Sequence, residues 1–288
     1  MQGRVVAAHG RQYVVELADG TLLPCFPRGK KSEVACGDRV DLQRTSDDQG
    51  VIEAIQPRTS LLYRSNEIRQ KLIAANVDQV VIVVATEPGF SDELVTRALL
   101  AAESEEIESL IVLNKCDLAD RVAAARAQLA AFSGLGYRIV ELSARDHAED
   151  LRPHLHGHTS VLVGQSGMGK STLVNALVPE ARAKTREISS ALDSGKHTTT
   201  HATLYHLDAD SQLIDSPGLQ EFGLGHLDRQ EIEYAFREFR PYLGQCRFRD
   251  CRHDREPDCA LLAAVDAGKI DKRRFAIYHR IMGTVRPD

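Results

Sequence analysis

Gly164-Gln165-Ser166-Gly167-Met168-Gly169-Lys170-Ser171, followed by Thr172, decides the fold of this chain. The apolar run Ser160–Val163 leads into it and a helical pattern leaves it toward Leu177. A strand, a loop with two spaced glycines, a lysine and a hydroxyl, and then a helix together make a phosphate-binding loop. Its backbone N–H groups turn inward around phosphates, and the helix N-terminus adds a favourable dipole. Lys170 is placed to reach the β- and γ-phosphates, and the Ser171 hydroxyl to bind Mg²⁺.

Upstream lies Asn114-Lys115-Cys116-Asp117, closing the apolar strand Ile107–Leu113. A carboxylate at Asp117 accepts hydrogen bonds from guanine N1–H and the exocyclic amine. Adenine would leave it desolvated and unpaired. Asn114 can bond the base and brace the phosphate loop, with the Lys115 stem along the ring. Ser143-Ala144, at the end of strand Tyr137–Leu142, resembles the loop whose backbone N–H meets guanine O6. Downstream, Asp215-Ser216-Pro217-Gly218 follows Leu213-Ile214. Asp215 is expected to hold Mg²⁺ through water, and the Gly218 N–H to sense a γ-phosphate. Together these are the parts of a GTP site in permuted order, with the guanine-reading motif first.

Between the phosphate loop and Asp215 lies Gly195-Lys196-His197-Thr198-Thr199-Thr200. One threonine, Thr199 or Thr200, is expected to complete the Mg²⁺ shell. Leu219 follows Gly218, where Ras-like enzymes carry the glutamine that orients water. Leucine cannot do this, so His197, the nearest candidate in sequence, is either the water-positioning group or an ordinary exposed histidine.

Working outward, residues 58–76 read as a polar, Arg-containing linker, and residues 1–60 as five short strands with turns at Asp19-Gly20, Arg28-Gly29 and Cys36-Gly37-Asp38. That pattern suggests an OB-type barrel, although periodicity does not separate it from an SH3-like one. From Val77 onward, apolar strands alternate with amphipathic helices, as in a mostly parallel doubly wound sheet. Ser91 is a candidate cap for a helix reaching about Glu103. The expected division is a barrel over 1–60, a permuted α/β P-loop domain over 61–225 and a helical zinc-binding domain over 226–288.

The last part contains Cys246-x4-Cys251-x-His253-x5-Cys259. Three thiolates and an imidazole suit one tetrahedral structural Zn²⁺. Arginines interleave with these ligands, which fits either contact with RNA phosphates or a solvated loop in which acidic neighbours pair them. The flanking segments Asp228–Arg240 and Ala260–Met282 read as helices.

The 288 residues are 43% hydrophobic and 27% charged, with a formal net charge of −5, so any RNA contact must use local patches. No apolar run reaches the ~18 residues that span a membrane. The start leads into no signal-peptide hydrophobic region, and the cysteines do not suggest a disulfide framework. A cytoplasmic monomer is expected.

The order of these motifs, with Ala75-Asn76-Val77-Asp78-Gln79 and the Gly195–Thr200 segment in place, resembles the bacterial small ribosomal subunit-dependent GTPase A family, also called RsgA or YjeQ. The resemblance covers nearly the whole chain. It implies a GTPase acting late in 30S subunit maturation, contacting 16S rRNA near the decoding region and leaving upon hydrolysis to GDP. It also implies stimulation by the subunit and a catalytic role for His197. Rival readings of the same motifs are an RNA-binding switch whose hydrolysis is incidental, and a permuted GTPase acting on another RNA or a translation factor.

Overall fold

Strand β8 (Gln79–Ala85) is buried along its whole length, as a strand covered on both faces must be. It sits in the middle of a parallel set in the order β10 (Arg138–Glu141), β9 (Glu108–Asn114), β8, β11 (Thr159–Val163) and β13 (Gln212–Asp215). The registers Ala85↔Asn114 and Leu162↔Asp215 bring the ends of these strands, and so the motifs that close them, to one edge of the sheet. Strand β12 (Ala202–His206) pairs antiparallel with β13.

The computed structural model describes residues 1–29, 33–66, 69–181, 202–216 and 224–284, with the backbone alone for 64–66 and 69–71. His197, Thr199, Thr200 and Gly218, like the rest of Gly195–Thr200, lie outside the described residues.

Helices cover the sheet. In α1 (Asp92–Ser104), Val95, Leu99 and Ala102 are buried, and the Ser91 hydroxyl caps the helix by accepting the Leu94 N–H at 3.4 Å. Helix α2 (Ala119–Gly134) buries Val122, Ala125, Leu129 and Phe132. The short α3 (Arg152–Leu155) precedes β11, and α4 (Lys170–Leu177) leaves the phosphate loop. Among the described residues no helix is long and apolar enough to cross a membrane.

At the N-terminus, β1 (Gln2–His9), β2 (Gln12–Leu17), β3 (Leu22–Pro27), β4 (Arg39–Arg44) and β5 (Gly50–Ile55) form a closed ring. The ring runs β1-β2-β3-β5-β4 and back to β1, with β3 and β5 parallel. Its interior holds Val5, Tyr13, Val15, Leu23, Val40 and Ile52. This Greek-key closure is that of an OB barrel and resolves what periodicity left open. The barrel is also spliced into the large sheet, because β1 pairs with β12 through Ala7↔Thr203 and Ala8↔Ala202.

Three expectations need correction. Residues 61–75 are not a plain linker: β6 (Leu61–Asn66) and β7 (Arg69–Ala75) form an antiparallel hairpin. Among the positions whose side chains are described, Leu62, Ile73, Ala74 and Ala75 are buried in the core, and the polar run between them in sequence masks the strand signal. The helix expected over Asp228–Arg240 ends early, as α5 (Arg229–Ala235), because Phe236 turns to an extended conformation and buries its ring against Phe239. The helix expected over Ala260–Met282 is two, α6 (Ala260–Asp266) and α7 (Lys272–Met282). Gly268 takes a positive φ of 69° after α6, and the Asp271 carboxylate caps α7 through the Arg273 and Arg274 N–H groups.

Candidate functional site: a nucleotide cavity and a metal cluster

Gly164 and Gly169 set the shape of the phosphate loop, with φ of 145° and 95°. A Cβ at Gly164 would collide with the Val83 carbonyl, and one at Gly169 with the Asn114 amide, so neither position accepts a side chain. The loop is braced from the neighbouring strand end. The Asn114 side-chain amide donates to the Met168 carbonyl at 2.8 Å, while its Oδ1 accepts the Lys115 and Ala144 N–H groups at 2.8 and 2.9 Å. Lys115 Nζ donates to the carbonyls of Gly167 and Glu87, both at 2.7 Å. One buried asparagine thus joins three loops that are distant in sequence.

These loops surround a cavity of about 620 Å³. Asn114, Lys115, Asp117, Ser143, Ala144, Ser166, Gly167, Gly169, Lys170, Ser171, Thr172 and Asp215 all line it, so the structure gathers the described motif residues onto one space. Three others contribute differently. Gly164 shapes the loop, Met168 is buried in the core, and the Gln165 side chain accepts the Ser91 N–H at 3.3 Å instead of facing the cavity. Within the Ser143-Ala144 loop, the Ala144 N–H donates to Asn114 Oδ1.

Glu87, Leu118, Arg145 and Ser216 also line the cavity, and sequence reasoning had singled out none of them. Leu118, Arg145 and Ser216 each adjoin or fall within a recognised motif, which is the signal that could have found them. Glu87 enters only through the tertiary fold.

The charge balance at the phosphate end follows from burial. Burial pushes the Asp215 carboxyl up to about 6, and neighbouring Lys170 works against that rise. Burial likewise lowers the Lys170 pKa, with Asp215 opposing. Lys170 Nζ donates to the Gly164 and Gln165 carbonyls at 2.7 and 2.9 Å. An acid this buried favours a second cation at its side. Asp215 with the Ser171 hydroxyl therefore fits Mg²⁺, a hard ion that takes oxygen ligands.

The second cluster brings together Cys246, Cys251, His253 and Cys259, whose ligand atoms all lie within 4.8 Å of one another. Cys246 and Cys259 sulfurs are 3.8 Å apart. Tetrahedral Zn²⁺ with bonds of about 2.3 Å needs sulfurs about 3.8 Å apart, so the donor set and spacing fit zinc. His253 Nδ1 faces the Cys259 sulfur at 3.3 Å, and its Nε2 faces Glu233 at 3.5 Å. Such a carboxylate fixes the ring orientation of a ligating histidine. Burial raises the Glu233 pKa, but hydrogen bonds from His253, Tyr278 and Arg229 outweigh it and keep the carboxylate ionised.

This module is fastened to α1. Buried Arg274 bonds Glu238 through two nitrogens and Thr96 Oγ1 at 3.1 Å, with the Phe132 and Phe236 rings nearby. Glu103 of α1 binds Arg237 and Arg240, each at 2.6 Å.

Comparison with known proteins follows the same outline. A family model described as RsgA GTPase matches residues 55–225. A small ribosomal subunit biogenesis GTPase RsgA from Burkholderia pseudomallei is 56% identical over 286 residues, 98% of this chain and 91% of its own. The protein of that name from Nitrosospira multiformis is 52% identical over 285 residues, 99% of this chain and 91% of its own. Among solved structures, YjeQ from Thermotoga maritima matches with a TM-score of 0.73 at 32% identity, covering 98% of both chains. YloQ, described as a circularly permuted GTPase, matches with a TM-score of 0.70 at 28% identity, over 100% of this chain and 96% of its own.

Proposed function

This chain belongs to the RsgA GTPase family, and from that premise we propose that it hydrolyses GTP to GDP and phosphate in late maturation of the small ribosomal subunit. The observation that carries the reading is the single cavity onto which Asn114, Asp117, Ser143, Lys170, Ser171 and Asp215 converge.

In this reading the Asp117 carboxylate selects guanine, and Asn114 holds the base loop against the phosphate loop. Lys170 exchanges its loop carbonyls for β- and γ-phosphate oxygens and neutralises charge that spreads over them during transfer. A water oxygen bonds to the γ-phosphorus, the bond to the β,γ-bridging oxygen breaks, and GDP leaves with that electron pair, while one water proton stays on the released phosphate and the other passes to solvent. Mg²⁺, held by Ser171, Asp215 through water and either Thr199 or Thr200, supplies further charge stabilisation when bound. His197 positions the water, and the Gly218 N–H senses the γ-phosphate. Zn²⁺ on the cysteine cluster is structural, since four protein ligands leave no open position. The division into 1–60, 61–225 and 226–288, the monomeric state, the cytoplasmic setting and contact with 16S rRNA belong to the same reading.

GTP turnover with and without purified 30S subunits, with 50S subunits as control, tests it. A large rise with 30S alone is expected, and His197→Ala should remove that rise while GDP still binds. No rise with 30S would detach the nucleotide site from the small subunit.

A further inference from the structure

Two large aromatic rings stand out of the C-terminal module, Tyr234 at 62% exposure and Phe248 at 41%. Met1 and Leu118 are the other large exposed apolar residues among those described. Neither ring hangs loose. The Arg240 guanidinium lies 4.8 Å from the Tyr234 ring centre and is itself held by Glu103 at 2.6 Å and by the Tyr234 carbonyl at 2.8 Å. The Arg247 guanidinium lies 5.5 Å from the Phe248 ring centre and is paired with Asp258 at 3.1 Å. Phe248 sits between two metal-cluster cysteines, and its carbonyl accepts the Cys251 N–H at 3.3 Å. Each ring is therefore associated with a guanidinium that a carboxylate holds in place, and much of its surface remains in water.

The charges around Phe248 do not make a phosphate trap. From Arg247 to Asp258 the chain carries four arginines and four carboxylates, a net of zero. Glu256 is further committed to backbone N–H groups of Arg252, Asp254 and Arg255. A neutral loop has little purchase on a phosphate backbone. Held, exposed rings with cationic neighbours suit the faces of unpaired nucleobases, which stack without regard to sequence.

We propose that Tyr234 and Phe248 are stacking platforms for unpaired RNA bases, one beside each anchored arginine. The proposal rests on the small-subunit reading above. Its contribution to binding is stacking, so it is insensitive to salt, unlike contacts made by the arginines to phosphate.

The test is binding of Tyr234→Ala and Phe248→Ala to 30S subunits across a series of KCl concentrations, alongside base-specific chemical modification of the subunit RNA. Unchanged zinc content and basal GTP turnover establish that the variants fold. Each variant should bind roughly tenfold more weakly at every salt concentration, the size expected for one lost stacked base. The salt slope should stay as in the parent, protection of a few unpaired bases should vanish, and Tyr234→Phe should restore binding. Parental affinity in both alanine variants would overturn the proposal, as would a changed salt slope. Weaker binding with base protection intact would indicate a protein contact instead and overturn it too. If the parent protein failed to bind 30S at all, the small-subunit reading would fall and take this one with it.

Discussion

The nucleotide cavity and the metal module solve the same problem, holding charge in a fixed place, by different means. The cavity is built from loops at the ends of parallel strands, with Asn114 tying them together. The metal module is made of side chains that meet from afar. Arg229, His253 and Tyr278 converge on the Glu233 carboxylate, and Arg274 crosses to Thr96 on α1. The conformations of the loops are set locally by glycine, and the sheet register then gathers them. A site set by distant side chains needs the whole fold first.

If that contrast is right, the largest effect should come from the metal. Cys259→Ser should abolish zinc retention, read by metal analysis. It should also collapse hydrogen-exchange protection in α7, because structural zinc in small folds contributes on the order of 10 kcal/mol. GDP affinity should change little. A parallel loss of GDP binding would show the two regions to be one cooperative unit.

Next in size is the buried ion pair. Arg274 is 2% exposed and Glu238 8%, so Arg274→Met strands a carboxylate and should cost about 3–5 kcal/mol in denaturant unfolding. Arg274→Met combined with Glu238→Leu should recover most of that. A single variant as stable as the parent would mean the module is held by its aromatic packing alone.

Asp117→Ala should weaken GDP binding by about 1.5–3 kcal/mol, roughly tenfold to a hundredfold, as read by calorimetry, since a charged acceptor is lost. Binding of ADP should not fall with it. Equal losses for both nucleotides would take guanine selection away from Asp117.

The smallest effect concerns pH. The Asp215 carboxyl, raised from 3.8 to about 6 chiefly by burial, keeps its proton in the folded state after the unfolded chain has lost it. The folded state therefore binds more protons across that window, and nucleotide-free stability should fall as pH rises from about 4 to 6. The slope it adds is at most about 1.4 kcal/mol per pH unit. Asp215→Asn should remove this share of the slope in melting curves taken at several pH values; a parental slope would assign it to other groups.

The same contrast governs what could be read in advance. Ser91 as a helix cap, the glycines of the phosphate loop and the cysteine spacing act on neighbours in the chain, so their patterns announce them. Gly268 and Asp271 were equally local signals for ending one helix and starting another, but the apolar pattern running through both helices hid them. The hairpin over 61–75 escaped notice because its polar positions read as linker. Glu233 and the Arg274–Glu238 pair were not legible at all. An ion pair 36 residues apart exists only after folding has chosen its neighbours. His197 and the threonines beside it lie outside the described residues, so their part in the chemistry rests on the family and on the turnover experiment.

Fastening also bears on how the parts can move. Arg273 and Arg280 of α7 lie 3.6 and 2.8 Å from Asp92 and Glu93, in the first turn of α1, beside the contact between Ser91 and Gln165. Any rearrangement of the metal module relative to the phosphate loop has to break these pairs or carry α1 with it.

The splice between β1 and β12 has a different consequence. Strand β12 is the antiparallel margin of the nucleotide-binding sheet, and the barrel occupies its outer side. Without that neighbour, β12 would expose unpaired N–H and C=O groups at Ala202 and Thr203, the kind of edge along which chains template one another into aggregates. The barrel is thus also a guard on the sheet, and a chain cut free of it would gain stickiness along with any freedom of movement.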